Sequence, residues 1–474
     1  MTWPYDMALL GGARMGNLET TFAGVRMRSP ISVAAMLSLT GVGRIPGNYA
    51  DMLLKYVDAG AGCVYTAGTT PEDEQPLEKL KGSSRVVAAR IPGFSKPLGT
   101  YCLSDPYIFT HSLHGTLEVI RILKEQLPPD VPIVGDIIGS GADPTGWVKA
   151  ARLMVQAGCA LIEIDASCPF TAGTVAAERR EYAHTAVTPE VESELAQMGI
   201  CYLLADSPDP LYRVTRAVVE AVNVPVGVKI SPESGFPRNL IVMKTIARAG
   251  ARFAASVNAP LTVAPPDVKN GGKPIYPAMG INPVTCFTGP WIYPMVTRNI
   301  GTGAVFVPEL DHSAVGGIVS PQQAIELLMM GAKHIGLASA IYMTEGVRGI
   351  RRFTHSVSTY LDEHGYESVD QLVGAAKKYI QPVTSETDWG HGRVVARVDY
   401  DKCTECGRCI EGYCFGAIIE DDKAKGRPIV KEELCGACGF CVLICPENAY
   451  ALAEAGKPYP THLEWEVPKP SVPK

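Results

Sequence analysis

Along the first three-quarters of the chain, short apolar, β-branched runs alternate with longer stretches whose apolar residues recur at i, i+3 and i+4. That alternation is the signature of βα units. The runs 31–36 (ISVAAM), 62–67 (GCVYTA), 132–138 (PIVGDII) and 160–166 (ALIEIDA) read as strands. So do 224–230 (VPVGVKI), 252–257 (RFAASV), 303–308 (GAVFVP) and 334–338 (HIGLA). Residues 147–158, 238–250 and 321–332 carry helical spacing and end at or near glycine. Eight such units predict an α/β fold, a TIM (β/α)8 barrel. Two long excursions, 71–130 and 169–210, read as lids or interface elements. The barrel is expected over 1–380, a linker over 381–396, and a small α+β domain with a terminal tail over 397–474.

Composition narrows the chemistry. The 474 residues include 46% hydrophobic and 19% charged positions, a balance that suits well-packed globular domains. A net charge of −6 offers no basic footprint for nucleic acid, which leaves a small molecule as the expected substrate. No apolar run reaches the ~18–20 residues of a membrane span. The first ten residues lack the basic segment and apolar core of a signal peptide. The expected location is therefore a reducing cytoplasm, where fourteen cysteines argue for metal or catalysis over disulfides.

Eight of those cysteines crowd into 403–445. Cys435, Cys438, Cys441 and Cys445, followed by Pro446, reproduce the C-x2-C-x2-C-x3-C-P run of bacterial ferredoxins. Cys403, Cys406, Cys409 and Cys414 repeat it with four residues in the last gap and Phe415 in place of proline. "VDYDKCTECGRC" and "VKEELCGACGFC" read as an internal duplication, the mark of a two-cluster ferredoxin. The fourth cysteine of each run crosses to the other cluster. Cys403, Cys406, Cys409 and Cys445 are thus expected on one [4Fe–4S] cluster, and Cys435, Cys438, Cys441 and Cys414 on the other. Structural zinc would also take four thiolates, but the triple C-x2-C-x2-C with a distant fourth ligand favours cubane clusters.

A barrel places its active site at the C-terminal strand ends. Ser167, Cys168 and Pro169 follow the fourth strand, Lys229 ends the fifth and Asn258 the sixth. Gly316 and Gly317 follow the seventh, and Ser339 the eighth. Glycines and a hydroxyl at those last two ends suit the phosphate of FMN or of a sugar phosphate, though tight turns alone also call for glycine. Taken by itself, Cys168 reads more readily as a buried core cysteine than as a catalytic one.

The motifs "IEIDASCP" (162–169), "VGVKISPE" (226–233), "ASVNAP" (255–260) and "GGIVSPQQAIELLMMGAKHIGLASAIY" (316–342) make the chain resemble the class 1 dihydroorotate dehydrogenase family. It is similar most of all to the dihydropyrimidine dehydrogenases, whose bacterial catalytic subunit joins an FMN barrel to a two-cluster tail. The resemblance spans nearly the whole chain. It implies Cys168 as catalytic acid/base and Lys229 beside the flavin ring. It implies Gly316, Gly317, Ala338 and Ser339 around the phosphate, Ala35 in the cofactor site, and Asn258 on flavin or substrate. The sequence departs from the family at three pocket positions. Asp165 stands where the family has Asn, Ala67 where it has a flavin-contacting Lys after strand two, and Ala259 where dihydropyrimidine dehydrogenases have Thr. A carboxylate only accepts hydrogen bonds, so Asp165 is expected to disfavour orotate and to favour N–H, O–H or cationic groups on the substrate.

The expected activity is oxidoreduction at a CH–CH or C=N bond, with FMN and two [4Fe–4S] clusters as cofactors. No complete G-x-G-x-x-G follows a strand, so the electron partner is expected to be a ferredoxin or a separate NAD(P)H-oxidising flavoprotein subunit. A homodimer or hetero-oligomer follows from the same resemblance. Two rivals stay open: an electron-transfer subunit without chemistry of its own, and a lyase or group-transfer barrel with structural clusters.

Overall fold

The computed structural model describes residues 17–35, 45–71, 86–90, 100–104, 112–139, 143–167, 204–274, 284–338, 340–341, 346–388, 392–412, 414 and 416–460. Met1–Ile380 and Gln381–Lys474 form two compact units.

In the first unit, eight strands run β1 (Ile31–Val33), β2 (Val64–Tyr65), β3 (Ile133–Ile137), β4 (Leu161–Asp165), β5 (Val226–Lys229), β6 (Phe253–Ala255), β7 (Asp311–Val315) and β8 (Ala332–Leu337). They lie in one parallel sheet, in the order β1-β8-β7-β6-β5-β4-β3-β2. The seam between β1 and β2 is bridged where Gly62 N–H donates to the Ile31 carbonyl at 2.8 Å. Glycine is required there, because a Cβ would fall 1.8 Å from the Ser29 carbonyl oxygen. The expected barrel is present.

One helix follows each strand: α1 (Pro46–Asp58), α2 (Leu113–Gln126), α3 (Pro144–Ala157), α4 (Pro208–Ala221), α5 (Arg238–Arg248), α6 (Tyr293–Phe306), α7 (Pro321–Met330) and α8 (Val347–Glu363). Each buries one stripe against the sheet. In α3 the stripe is Trp147, Ala150, Ala151 and Met154, capped by Asp143, whose carboxylate accepts from Thr145 N–H. In α7 a Ser320–Gln323 capping box opens the helix, and Gly331, at φ 115°, closes it. Beneath the barrel a hairpin (Thr20–Phe22 and Val25–Met27) packs Phe22 and Met27 against Tyr65, Val134, Leu161 and Phe253. That end is plugged by side chains.

One expected strand is a correction. Residues 303–308 do not form the seventh strand; 303–306 are the last turn of α6, and β7 is Asp311–Val315. "GAVFVP" is β-branched and aromatic, but Val296, Ile300 and Ala304 place it on the buried stripe of a helix. The true strand was hidden because two adjacent polar residues in it are buried on opposite faces: Ser313 bonds His334 inside the barrel, and His312 packs outward against Gly303 of α6. His312 is held neutral, its pKa lowered by burial to about 4.

The first excursion, 71–130, holds strands Val86–Arg90 and Thr100–Ser104 as well as α2. Those strands join Leu261–Val263 and Val284–Thr288 in a four-stranded antiparallel sheet. It is built from segments that leave the C-terminal ends of β2 and β6. Most of the second excursion, 168–203, lies outside the described residues.

In the second unit, strand Val394–Val398 pairs antiparallel with Tyr450–Glu454, and Ile418–Asp421 with Ala424–Val430. The strand Val394–Val398 takes in the last residues of the segment expected as linker. Short helices Arg408–Glu411 and Phe440–Ile444 carry the third cysteine of each run, Cys409 and Cys441. The duplication is written in the backbone. Glu405 and Gly407 have φ of 54° and 72°, and Ala437 and Gly439, at the matching positions, have 52° and 75°. The extra residue before Cys414 is made up by one fewer after it, so Cys403 to Ala417 spans as many positions as Cys435 to Ala449.

Candidate functional site

Strand register brings the polar side chains of the barrel together. Successive strand residues face opposite sides, so Leu161, Glu163 and Asp165 line the interior while Ile162 and Ile164 pack into the surrounding core. In the parallel ladders Asp136 of β3 stands opposite Glu163, and Asp165 opposite Lys229 of β5. The Lys229 ammonium lies 3.0 Å from Glu163 Oε1, 3.1 Å from Asp165 Oδ2 and 3.6 Å from Asp136 Oδ1. All four side chains are buried. Burial alone would pull Lys229 down, but Asp136, Asp165 and Glu163 outweigh it and hold its pKa well above the usual lysine value.

Asn258, three residues beyond β6, donates its amide to both Asp165 oxygens at 2.9 and 3.0 Å and accepts from Ala259 N–H at 2.7 Å. Ser167 donates to the Lys229 carbonyl at 3.0 Å and reaches Asp165 Oδ1 at 3.4 Å. These contacts fix the backbone up to the residue before Cys168. Cys168 and Ser339 themselves lie outside the described residues. Asp165 is thus occupied by Lys229, Asn258 and Ser167. Ala67 is fully buried just past β2, and Ala35 is half-buried past β1.

Gly316 and Gly317 leave β7 with φ of 105° and 71°, the left-handed region open to glycine. A Cβ on Gly317 would come 2.5 Å from Tyr293 N, and one on Gly316 would come 2.7 Å from Ile292 Cδ1. Among the described residues neither Gly317 N–H nor Ile318 N–H donates a hydrogen bond, although both residues are buried. Buried amides are rarely left so. This turn therefore fits the phosphate of a nucleotide, which takes such donors. Ala338 follows β8, half-buried, and its carbonyl accepts from Ile341 N–H.

Sequence reasoning passed over Asp136, Glu163 and a second buried group below them. There His334 is bonded by Ser32 Oγ at 2.5 Å and Ser313 Oγ at 2.7 Å, with Cys63 Sγ at 3.6 Å. Burial lowers His334 to about 3 and raises Cys63 to about 12, so both are neutral. The available signal was polar residues interrupting apolar strand runs, as in IVGDI and LIEID.

In the second unit, Cys403, Cys406, Cys409 and Cys445 line one pocket together with Gly426, Pro428 and Tyr450. Cys414, Cys435 and Cys438 lie close enough to Cys441 to act on it; burial first, then their charges, push its thiol up to about 12. Donors point at sulfur. Tyr450 O–H meets Cys409 Sγ at 3.2 Å, Ala449 N–H meets Cys445 Sγ at 3.3 Å, and Ala396 N–H meets Cys435 Sγ at 3.3 Å. Among the described residues no three His, Cys, Asp or Glu side chains are spaced to share a single ion. Four thiolates on one zinc would sit ~3.8 Å apart, from its ~2.3 Å bonds, whereas the corners of an iron–sulfur cube stand wider. The donor set fits thiolates that ligate a cluster.

The family profile "Dihydroorotate dehydrogenase" matches residues 113–355, and the profile "4Fe-4S binding domain" matches 428–451. The NAD-dependent dihydropyrimidine dehydrogenase subunit PreA of Escherichia coli (strain K12) is 28% identical over 92% of this chain and 96% of its own length. The catalytic subunit of dihydroorotate dehydrogenase B (NAD(+)) from Pyrococcus abyssi is 27% identical over 76% of this chain and 99% of its own. That from Methanothermobacter thermautotrophicus is 23% identical over 76% and 98%. Among the described residues no helix is long and apolar enough to cross a membrane.

Proposed function

The chain belongs to the dihydroorotate dehydrogenase family and carries a 4Fe-4S binding domain, and on that premise we propose that it interconverts a C–C or C–N single bond and the corresponding double bond in a small, uncharged heterocycle. FMN, when bound, supplies hydride chemistry, and iron–sulfur clusters supply one-electron storage. Gly316, Gly317, Ala338 and Ser339 would hold the FMN phosphate, and Ala35, Lys229 and Asn258 would lie beside the flavin. Cys168 holds the proton that is given to, or taken from, the substrate atom next to the one exchanging hydride. A thiol suits that task because its ordinary pKa of ~8.5 is within reach of neutral pH.

The barrel interior bears on the substrate class. Asp136, Glu163 and Asp165 face a single ammonium, Lys229. A carboxylate substrate such as orotate would enter against that field, whereas a neutral ring bearing N–H groups would not. Asp165 acts on the substrate through Asn258, whose amide it orients.

In the second unit, Cys403, Cys406, Cys409 and Cys445 would ligate one [4Fe–4S] cluster, and Cys435, Cys438, Cys441 and Cys414 a second. The electron partner is a ferredoxin or an NAD(P)H-oxidising flavoprotein subunit; a relative named as an NAD-dependent dehydrogenase subunit favours the latter. A reducing cytoplasm suits so many free thiols.

The observation that carries this reading is the pair of buried, acceptor-less N–H groups at Gly317 and Ile318, at the same barrel end as Lys229 and Asn258. The test is single turnover. Photoreduced enzyme, handled without oxygen, is mixed with pyrimidines, other N-heterocycles and conjugated carbonyl compounds, and flavin reoxidation is followed. One of the neutral heterocycles should reoxidise it. Cys168→Ala should retain the flavin spectrum while the rate falls by roughly 10²–10⁴. An unchanged rate would remove Cys168 from the mechanism.

A further inference from the structure

Asp136 has no place in the resemblance that points to Cys168 and Lys229, yet it sits on the floor of the same group. Its carboxylate is 1% exposed, as is that of Glu163 directly across the ladder. Beyond the Lys229 ammonium, no donor among the described residues reaches Asp136 Oδ1 or either Glu163 oxygen. Three carboxylates around one ammonium would leave two uncompensated negative charges in the barrel core. Unpaired buried charge is among the costliest arrangements a protein can hold, and such groups take up a proton instead.

We propose that Asp136 carries a proton at neutral pH and shares it with Glu163, so that the group of three acids and Lys229 holds one net negative charge and Lys229 stays fixed between β3, β4 and β5. Asp136 is a positioning residue in this arrangement: it acts through Lys229 and Glu163 and touches neither substrate nor flavin.

The surroundings agree from each side. Burial raises Asp136 most, Lys229 draws it back, and Asp165 and Glu163 raise it further, leaving it well above the ordinary carboxyl value. The neighbour on β2, Tyr65, adds no charge, since burial and then Glu163 hold its phenol well above the ordinary value. Thr66, also near β2, accepts Asp136 N–H at 2.9 Å and fixes the strand. The inference concerns side chains alone and stands whether or not the barrel turns over a heterocycle.

The experiment measures unfolding of the full chain against pH, with infrared spectra of the folded protein alongside. A carboxyl with a raised folded pKa binds more protons folded than unfolded. Its contribution is therefore full below the unfolded value of ~3.9 and is lost as pH rises towards the folded value. Asp136→Asn removes that loss. The folding equilibrium of the variant should gain on wild type by up to about tenfold per pH unit above pH ~4, and one protonated-carboxyl band should vanish from the infrared spectrum. Asp136→Ala also removes the titrating carboxyl and should share that pH slope, but from a lower stability than Asp136→Asn at every pH, because it cannot donate to Glu163. Should Asp136→Asn fail to fold, Glu163→Gln serves, because an amide on either side imitates the shared proton. A variant that loses ground with rising pH, an unchanged infrared spectrum, or failure of both amide variants to fold would overturn the proposal.

Discussion

The two units keep their reactive groups in opposite ways. In the barrel, Lys229 and its three acids are wrapped by an apolar core that runs from Ile31 to Leu372. Lys229 faces all three carboxylates, and these groups hold one another in place within the fold. In the second unit the buried cluster is small, built on Ala396, Ile418, Cys441, Val442 and Tyr450, with Cys409, Cys414, Cys435 and Cys445 packed around it. Its α-helices among the described residues are four and five residues long, too short to stand alone. The thiols are part of that core. The contrast teaches that one unit is a scaffold that receives a cofactor, while the other, which carries a 4Fe-4S binding domain, is a fold completed by iron–sulfur.

Removing iron from the full chain is the sharpest way to break this comparison. Hydrogen exchange should show protection lost across 392–460 and retained in β3 to β8. Equal loss in both units would show that the barrel depends on the clusters too. A smaller effect is expected inside the barrel. Lys229→Met leaves the acids without their cation and should cost about 3–5 kcal/mol, as removing one partner of a buried ion pair does. Denaturant unfolding checks this; a change near zero would mean the acids are neutralised without the lysine. The smallest effect belongs to the second unit. Tyr450→Phe removes one O–H donor to Cys409 Sγ, costing about 1 kcal/mol. It should move the reduction potential of one cluster to more negative values and leave the other in place, since hydrogen bonds to sulfur stabilise the reduced state. Electron paramagnetic resonance during a redox titration separates the two signals.

Legibility followed the same division. Cysteine spacing declares its chemistry in a handful of letters, and the four cysteines expected to share a cluster, Cys403, Cys406, Cys409 and Cys445, line one pocket. The barrel was legible as far as its strands were apolar. It failed at β7, where Ser313 points into a polar interior and His312 into the helix layer, so that polar residues on both faces leave no strand period to see. It failed again at Asp136 and Glu163, because only register tells that residues far apart in sequence share one lysine. Gly316 and Gly317 were visible as glycines, but the unanswered N–H groups beside them are a property of the fold.

The central claim is one flavin in the barrel and two four-iron clusters in the second unit of the same chain. Chemical analysis of the full-length protein, purified without oxygen, tests it most directly. The account predicts one FMN released per chain, two four-iron clusters' worth of iron and sulfide, and an absorbance that bleaches in separate flavin and cluster phases on reduction. A colourless preparation that takes up no FMN on reconstitution, or iron sufficient for only one cluster, would contradict it.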